Sequence, residues 1–77
     1  MIASHKIEGI RFDQDFIILN IDEVELTIPL DKLSEKLKAA SDIERTMYKI
    51  SPSGYGIHWP LIDEDLSING ILRDFSK

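Results

Sequence analysis

The chain contains no cysteine, so it can build no disulfide framework, no thiol nucleophile and no thiolate metal site. It has no apolar run near the ~20 residues that a membrane-spanning helix needs. The opening Met1-Ile2-Ala3-Ser4-His5-Lys6 lacks the apolar core of a secretory signal. Cytoplasmic residence is the expectation that fits these absences. Basic residues are scarce, with nine Lys and Arg against 14 Asp and Glu, a formal net charge of −5. That balance repels a phosphate backbone, so direct nucleic-acid binding is disfavoured. The densest basic cluster, Lys32, Lys36 and Lys38, is interleaved with Asp31 and Glu35 and reads as the solvated face of a helix. Repeats, low-complexity stretches and linkers are absent as well. What remains is a single small domain spanning residues 1–77, and its 43% apolar content is that of a globular chain. A chain this short buries only about 60% of its unfolded surface, which leaves a thin stability margin.

Ile7 to Phe12 alternates loosely and reads as a strand, with Asp13-Gln14-Asp15 as a polar break. Phe16 to Ile21 is apolar on both sides, as a central strand would be. Asp22-Glu23 is a two-residue turn without the glycine that favours a tight hairpin, and Val24 to Ile28 then alternates cleanly. The three strands form an antiparallel meander. Pro29 ends it, and Leu30, Leu33, Leu37 and Ala40 recur at helical spacing, which predicts one helix from about Leu30 to Ala40. Ser41-Asp42-Ile43-Glu44 matches a capping box and predicts a second short helix to about Thr46. Tyr48 to Ile50 and Tyr55 to Trp59 read as a hairpin around Pro52-Ser53-Gly54. Ile68, Ile71, Leu72 and Phe75 then mark an amphipathic C-terminal helix. Asp65 or Ser67 would be its N-cap, and the acids Asp63 to Asp65 would lie where the helix dipole favours them. The fold class is α+β: a small antiparallel sheet, made of the meander and a C-terminal hairpin, with two to three short helices.

The densest chemistry lies in Gly56 to Ser67. His58, Asp63, Glu64 and Asp65 place one imidazole and three carboxylates within eight residues. That donor set could hold Zn, Mn or Fe, giving a metal-binding protein or a metal-dependent hydrolase as the alternative function. Strand alternation weighs against it: if Ile57 and Trp59 face the core, His58 looks outward, away from them. Nothing in the spacing ties Ser51, Ser53 or Ser67 to His58, and His5 falls in an N-terminus expected to fray. Pro52-Ser53-Gly54-Tyr55-Gly56 lacks the Lys of a phosphate-binding loop and reads as a tight turn with Gly54 at positive φ. No catalytic set, metal or cofactor is therefore expected. Trp59 can close the core or anchor an interface. With its neighbours it defines the expected interaction face, namely His58, Trp59, Asp63, Glu64 and Asp65. An edge strand at Ile7 to Phe12 or at Tyr48 to Ile50 offers a second route, through strand addition.

Tyr48-Lys49-Ile50-Ser51-Pro52-Ser53-Gly54-Tyr55-Gly56-Ile57-His58-Trp59-Pro60, followed by Asp63-Glu64-Asp65-Leu66-Ser67-Ile68 and Gly70-Ile71-Leu72, resembles the signature of a bacterial family named only as domain of unknown function 2442. Leu37, Ala40, Ser41 and Arg45 resemble its middle segment, and the meander fits its opening. Ser34-Glu35 stands where many members carry a Pro-Arg pair, so no role for that arginine carries over. The resemblance implies a small α+β protein of the prokaryotic cytoplasm, with no catalytic residue assigned. Members are often encoded beside another small protein, which has led to suspicion of toxin–antitoxin-like pairing. Some members are joined to helix-turn-helix segments, and this chain has none. Size, charge and resemblance together point to a protein-interaction or regulatory module, as the antitoxin-like half of a two-protein pair, with another small protein as partner. A homodimer is a further option, because association adds buried area to a small core.

Overall fold

The computed structural model describes residues 5–75. Its elements in chain order are β1 (Ile7–Asp13), β2 (Phe16–Ile21), β3 (Val24–Pro29), α1 (Leu30–Leu33), α2 (Glu35–Ala39), α3 (Asp42–Thr46), β4 (Lys49–Ile50), β5 (Gly56–Trp59), β6 (Glu64–Ser67) and α4 (Ile68–Phe75). Two antiparallel three-stranded sheets result, ordered β1-β2-β3 and β4-β5-β6. This is the α+β class expected from the sequence, with β2 in the centre of the first sheet.

The meander forms where the alternation places it. Ile17, Leu19 and Ile21 of β2 turn one face to the core, and Ile28 of β3 joins them opposite Ile17. The β2–β3 turn carries positive φ at both Asp22 (51°) and Glu23 (68°), the conformation of a primed hairpin turn made without glycine. A side chain and a main-chain carbonyl outside the turn hold it. The Glu23 N–H donates to Glu8 Oε1 at 3.0 Å, and the Asp22 N–H donates to the Lys6 carbonyl at 2.8 Å.

The helix predicted over Leu30 to Ala40 is instead two, interrupted at Ser34. That residue is extended (φ −159°, ψ 112°) and serves as C-cap of α1 and N-cap of α2. Its hydroxyl oxygen accepts from the Leu37 N–H at 3.1 Å while its O–H donates to Glu64 at 2.5 Å. A serine offers the backbone an alternative to the helical bond, and here a partner on another element makes the alternative preferable. Apolar spacing persists through the break, with Leu30 and Leu37 fully buried, so periodicity alone did not expose it. The capping box is present as read: Ser41 Oγ accepts from the Glu44 N–H (3.2 Å), and Glu44 Oε1 accepts from the Ser41 N–H (2.8 Å).

The C-terminal region differs most from expectation. Glu64–Ser67 is a strand that pairs with β5, not a helix start. Asp63, at φ 52°, belongs to the turn that reverses the chain. Helix α4 begins at Ile68 with no acid in its first turn. Ser67 caps it, its Oγ accepting from the Gly70 N–H at 3.1 Å. The Asp-Glu-Asp run resembles a helix N-terminus in composition, yet Glu64 and Leu66 oppose Trp59 and Ile57 in register. Period-2 pairing with an apolar strand outweighed the dipole preference.

Trp59 is fully buried at 0% exposure. It packs edge-on against Phe12 of β1 (centroids 6.5 Å apart, 76°) and at a tilt on Tyr48 (6.1 Å, 54°). Its indole N–H donates to the Arg45 carbonyl at 2.9 Å. Trp59 therefore ties the two sheets together, and its expected place on an interaction face is corrected: none of the ring is presented to a partner. Arg45 is buried without a carboxylate. It donates to the carbonyls of Leu37 (3.0 Å), Lys38 (3.1 Å) and Gln14 (2.8 Å) and lies 5.2 Å from the Phe12 ring centroid. It thereby closes the C-terminal end of α2 onto the β1–β2 turn.

Candidate functional site

The register of β4-β5-β6 sorts the chemistry of the signature segment onto two faces. Ile57 and Trp59 point into the core, with Leu66 and Glu64 opposite them. The other face carries two cross-strand rows. Lys49, His58 and Asp65 form the first. Ser51, Gly56 and Ser67 form the second, joined by the Ser51 N–H to Gly56 carbonyl bond (3.0 Å) and by the Gly56–Ser67 pair. With Pro52, Tyr55 and Asn69 these rows line an open concavity of about 710 Å³.

Glycine makes the concavity. A Cβ at Gly56 would stand 2.8 Å from the Leu66 carbonyl oxygen, so the floor is bare backbone. The Ser51 hydroxyl oxygen shapes one wall by accepting from the N–H groups of Tyr55 (2.8 Å) and Gly56 (3.0 Å). Gly54 at φ 69° completes that turn, and a side chain there would collide with the His5 carbonyl.

His58 and Asp65 pair across the sheet, Nδ1 to Oδ1 at 2.7 Å, with side chains 40% and 75% exposed. Nδ1 is thereby committed to the carboxylate, leaving Nε2 as the ring's outward group. Lys49, directly across from His58 on the other side, has no acidic partner within 4 Å among the described residues. The row thus presents a cation, an imidazole and a carboxylate in sequence.

Of the expected face, then, His58 and Asp65 come together. Glu64 does not join them. It lies on the core-facing side, where it accepts from Ser34 and from the Asp65 N–H (3.0 Å). Asp63 is exposed in the turn beyond the last β5–β6 pair, its carbonyl accepting from Lys36 Nζ at 2.9 Å. Among the described residues no group of three or more His, Asp or Glu side chains is placed to hold a metal ion. The donor set read from the sequence is split between two faces of one sheet. Lys49 and Asn69 escaped the sequence reading because only the register of β4 and the position of α4 bring them to the face that carries His58. The pairing of Lys49 with His58 could have been inferred by counting outward from the Pro52-Ser53-Gly54 turn.

A second concavity of about 600 Å³ is floored by Phe12, Arg45 and Tyr48. The Arg45 donors that could serve a ligand there already point inward to carbonyls.

His5, expected to fray, is instead held, with a side chain only 13% exposed. Nδ1 lies 2.8 Å from Asp22 Oδ2 and Nε2 lies 2.7 Å from Asn69 Oδ1, while its N–H donates to the Ser53 carbonyl at 3.2 Å. Hydrogen bonds to the Asp22 carboxylate and then to Asn69 raise its pKa above the ordinary 6.5. Asp22 is lowered from 3.8, chiefly by the Lys6 N–H donating to Oδ1 (2.8 Å) and then by His5. Because the folded pKa of His5 is the raised one, its contribution to stability is full below 6.5 and is lost as pH rises through the folded value. The Asp22 contribution is full above 3.8 and is lost as pH falls through its lowered value. Both are at full value together between 3.8 and 6.5.

No helix of the described residues is long and apolar enough to cross a membrane. No curated protein matches the chain. Among solved structures, the crystal structure of a protein of unknown function from Rhodospirillum rubrum is similar at a TM-score of 0.71 and 26% identity, over 97% of this chain and 93% of that one. The profile of the family described as Protein of unknown function (DUF2442) matches residues 7–76. That span contains both sheets and the concave face, and it agrees with the resemblance carried by the Gly-Ile-His-Trp-Pro and Asp-Glu-Asp segments: the chain belongs to the DUF2442 family.

Proposed function

We propose that the chain is a small protein-interaction module of regulatory kind, the neutralising half of a two-protein pair, and that it grips its partner with the outer face of β4-β5-β6. The observation that carries this reading is the concavity. A bare glycine floor is ringed by the Tyr55 and Pro52 surfaces and by the polar groups of Lys49, His58, Asp65 and Asn69. Apolar surface with a few convergent polar groups is the usual make-up of a recognition site. The edge of the same sheet supports it. Antiparallel pairs alternate in their bonding, and the bonded Ser51–Gly56 pair turns the N–H and C=O of Ile50 away from β5. An extended segment of a partner could add there. Binding is favoured over catalysis because His58 bonds to Asp65 and to no hydroxyl among the described residues.

Affinity capture from a lysate of the source organism tests the reading. Wild-type chain is expected to retain a stoichiometric small protein. A Lys49→Glu/Asp65→Lys variant, which reverses the polarity of the row without touching the core, should retain at least ~10-fold less, a loss of about 1.4 kcal/mol. Arg11→Ala, on the other sheet, should capture normally. Equal capture by all three, or no stoichiometric partner, would discard the proposal.

A further inference from the structure

His5 joins three parts of the fold, two through its ring and one through its main chain. Its ring faces Asp22 of the β2–β3 turn and Asn69 of α4, and its main chain holds Ser53 of the β4–β5 turn. Two of these parts, the 51–55 turn and Asn69, are walls of the concavity. Both ring nitrogens face oxygen acceptors. A neutral imidazole carries only one N–H, so donating to both requires the imidazolium. In that state Asn69 offers Oδ1 to His5, and its NH₂ is left for the concavity it lines.

We infer that the protonation state of His5 is a latch on the concave face, setting which end of the Asn69 amide the concavity presents. When the ring loses a proton it keeps Nδ1–H on the Asp22 carboxylate, because an acceptor there would face a negative charge. Nε2 becomes an acceptor, and two acceptors 2.7 Å apart repel. Rotation of the Asn69 amide by half a turn relieves this, bringing its NH₂ to Nε2 and turning Oδ1 outward. The wall changes from hydrogen-bond donor to acceptor, and the tie on the 51–55 turn weakens with it.

The charged groups around the ring agree with this assignment. The β2–β3 turn supplies Asp22, in contact, and the neighbouring Glu23, whose N–H is held by Glu8. From the N-terminal side Lys6 points its ammonium to Glu8 at 3.9 Å. The β4–β5 turn offers His5 only a carbonyl. Helix α4 offers the neutral Asn69, while its Arg73 and Asp74 pair with each other at 3.2 Å. Among the described residues Asp22 is the one ionised group touching the ring. His5 lies just before residues 7–76, the span that the family profile matches, whereas its partners Asp22, Ser53 and Asn69 lie inside it.

As regulation of a binding face, the latch rests on the function proposed above; as a coupled titration, it is measurable in the isolated chain. A pH series of NMR spectra on the full ¹⁵N-labelled chain reads it. The His5 ring nitrogens should titrate with a midpoint above 6.5, and the Asn69 side-chain amide and the Ser51 and Tyr55 backbone amides should move with that same midpoint. Asp22→Asn should lower the midpoint while core amide shifts stay in place. A His5 midpoint at or below 6.5 overturns the latch, as does an Asn69 amide indifferent to the His5 titration. Either result would leave partner capture untouched, whereas failed capture beside a coupled titration would sink the binding reading and leave the latch standing.

Discussion

Trp59→Ala is expected to leave most of the chain unfolded at 37 °C. Truncating a buried aromatic costs about 3–5 kcal/mol, and a domain of 77 residues has roughly 4–12 kcal/mol in all. Trp59 stands at the upper end of that cost. Its ring is the contact between Phe12 of the first sheet and Tyr48 at the mouth of the second. Its N–H is also the partner of a buried carbonyl, that of Arg45. The two sheets share no strand, so losing the ring opens a seam between them as well as a void. Thermal melting followed by circular dichroism checks this. A fall in Tm of at least about 15 °C is expected, since each kcal/mol is worth about 4–8 °C at this size. Trp59→Phe keeps a ring but orphans the carbonyl, and should fall between the two. A Tm within a few degrees of wild type for the alanine variant would mean that Trp59 is not the joint between sheets.

The second large effect concerns Arg45. Among the described residues its guanidinium is the sole buried positive charge, and it is matched by carbonyl dipoles instead of a carboxylate. Leu37 and Lys38 supply carbonyls at the C-terminal end of α2, where a cation is favoured, and the Leu37 carbonyl also accepts from the Ala40 N–H at 3.2 Å. Gln14, at φ 53°, sits in the β1–β2 turn. Arg45→Met keeps an apolar stem and removes all three bonds together with the guanidinium over the Phe12 ring. Charged hydrogen bonds contribute about 1.5–3 kcal/mol each when deleted singly. Water can reach part of the vacated space, so a total of about 3 kcal/mol is expected from urea denaturation. Arg45→Lys should recover less than half of it, because one ammonium cannot span acceptors that a planar fork reaches in three directions. Wild-type stability in the lysine variant would show that charge, not geometry, is what α2 requires.

Both residues show where local pattern carries information and where it stops. The meander was legible because alternation in Val24 to Ile28 and the polar breaks are local signals, and the Ser41–Glu44 box is a local signal too. Ser34 was not legible, since its helix-breaking bond depends on Glu64, thirty positions away. β6 was hidden for another reason, although its partner β5 is close in sequence. An acidic triplet carries helix-start composition, and only the apolar partner strand reveals that Glu64 and Leu66 face inward. Alternation did place His58 outward and Ile57 and Trp59 inward, but it could not choose which acid His58 would meet. Register chose Asp65. His5 shows the same limit, because a residue near a chain end looks unconstrained until α4 and the β2–β3 turn converge on it.

The recognition role of the concave face is tested most directly by placing a photo-reactive residue at one position at a time and irradiating cells of the source organism. At Tyr55, on the wall of the concavity, a single dominant adduct of defined mass with another small protein is expected. At Thr27, exposed on β3 of the other sheet, no such adduct should form. The same adduct at both positions, or at Thr27 alone, would place the binding surface elsewhere and contradict the role assigned to Lys49, His58 and Asp65.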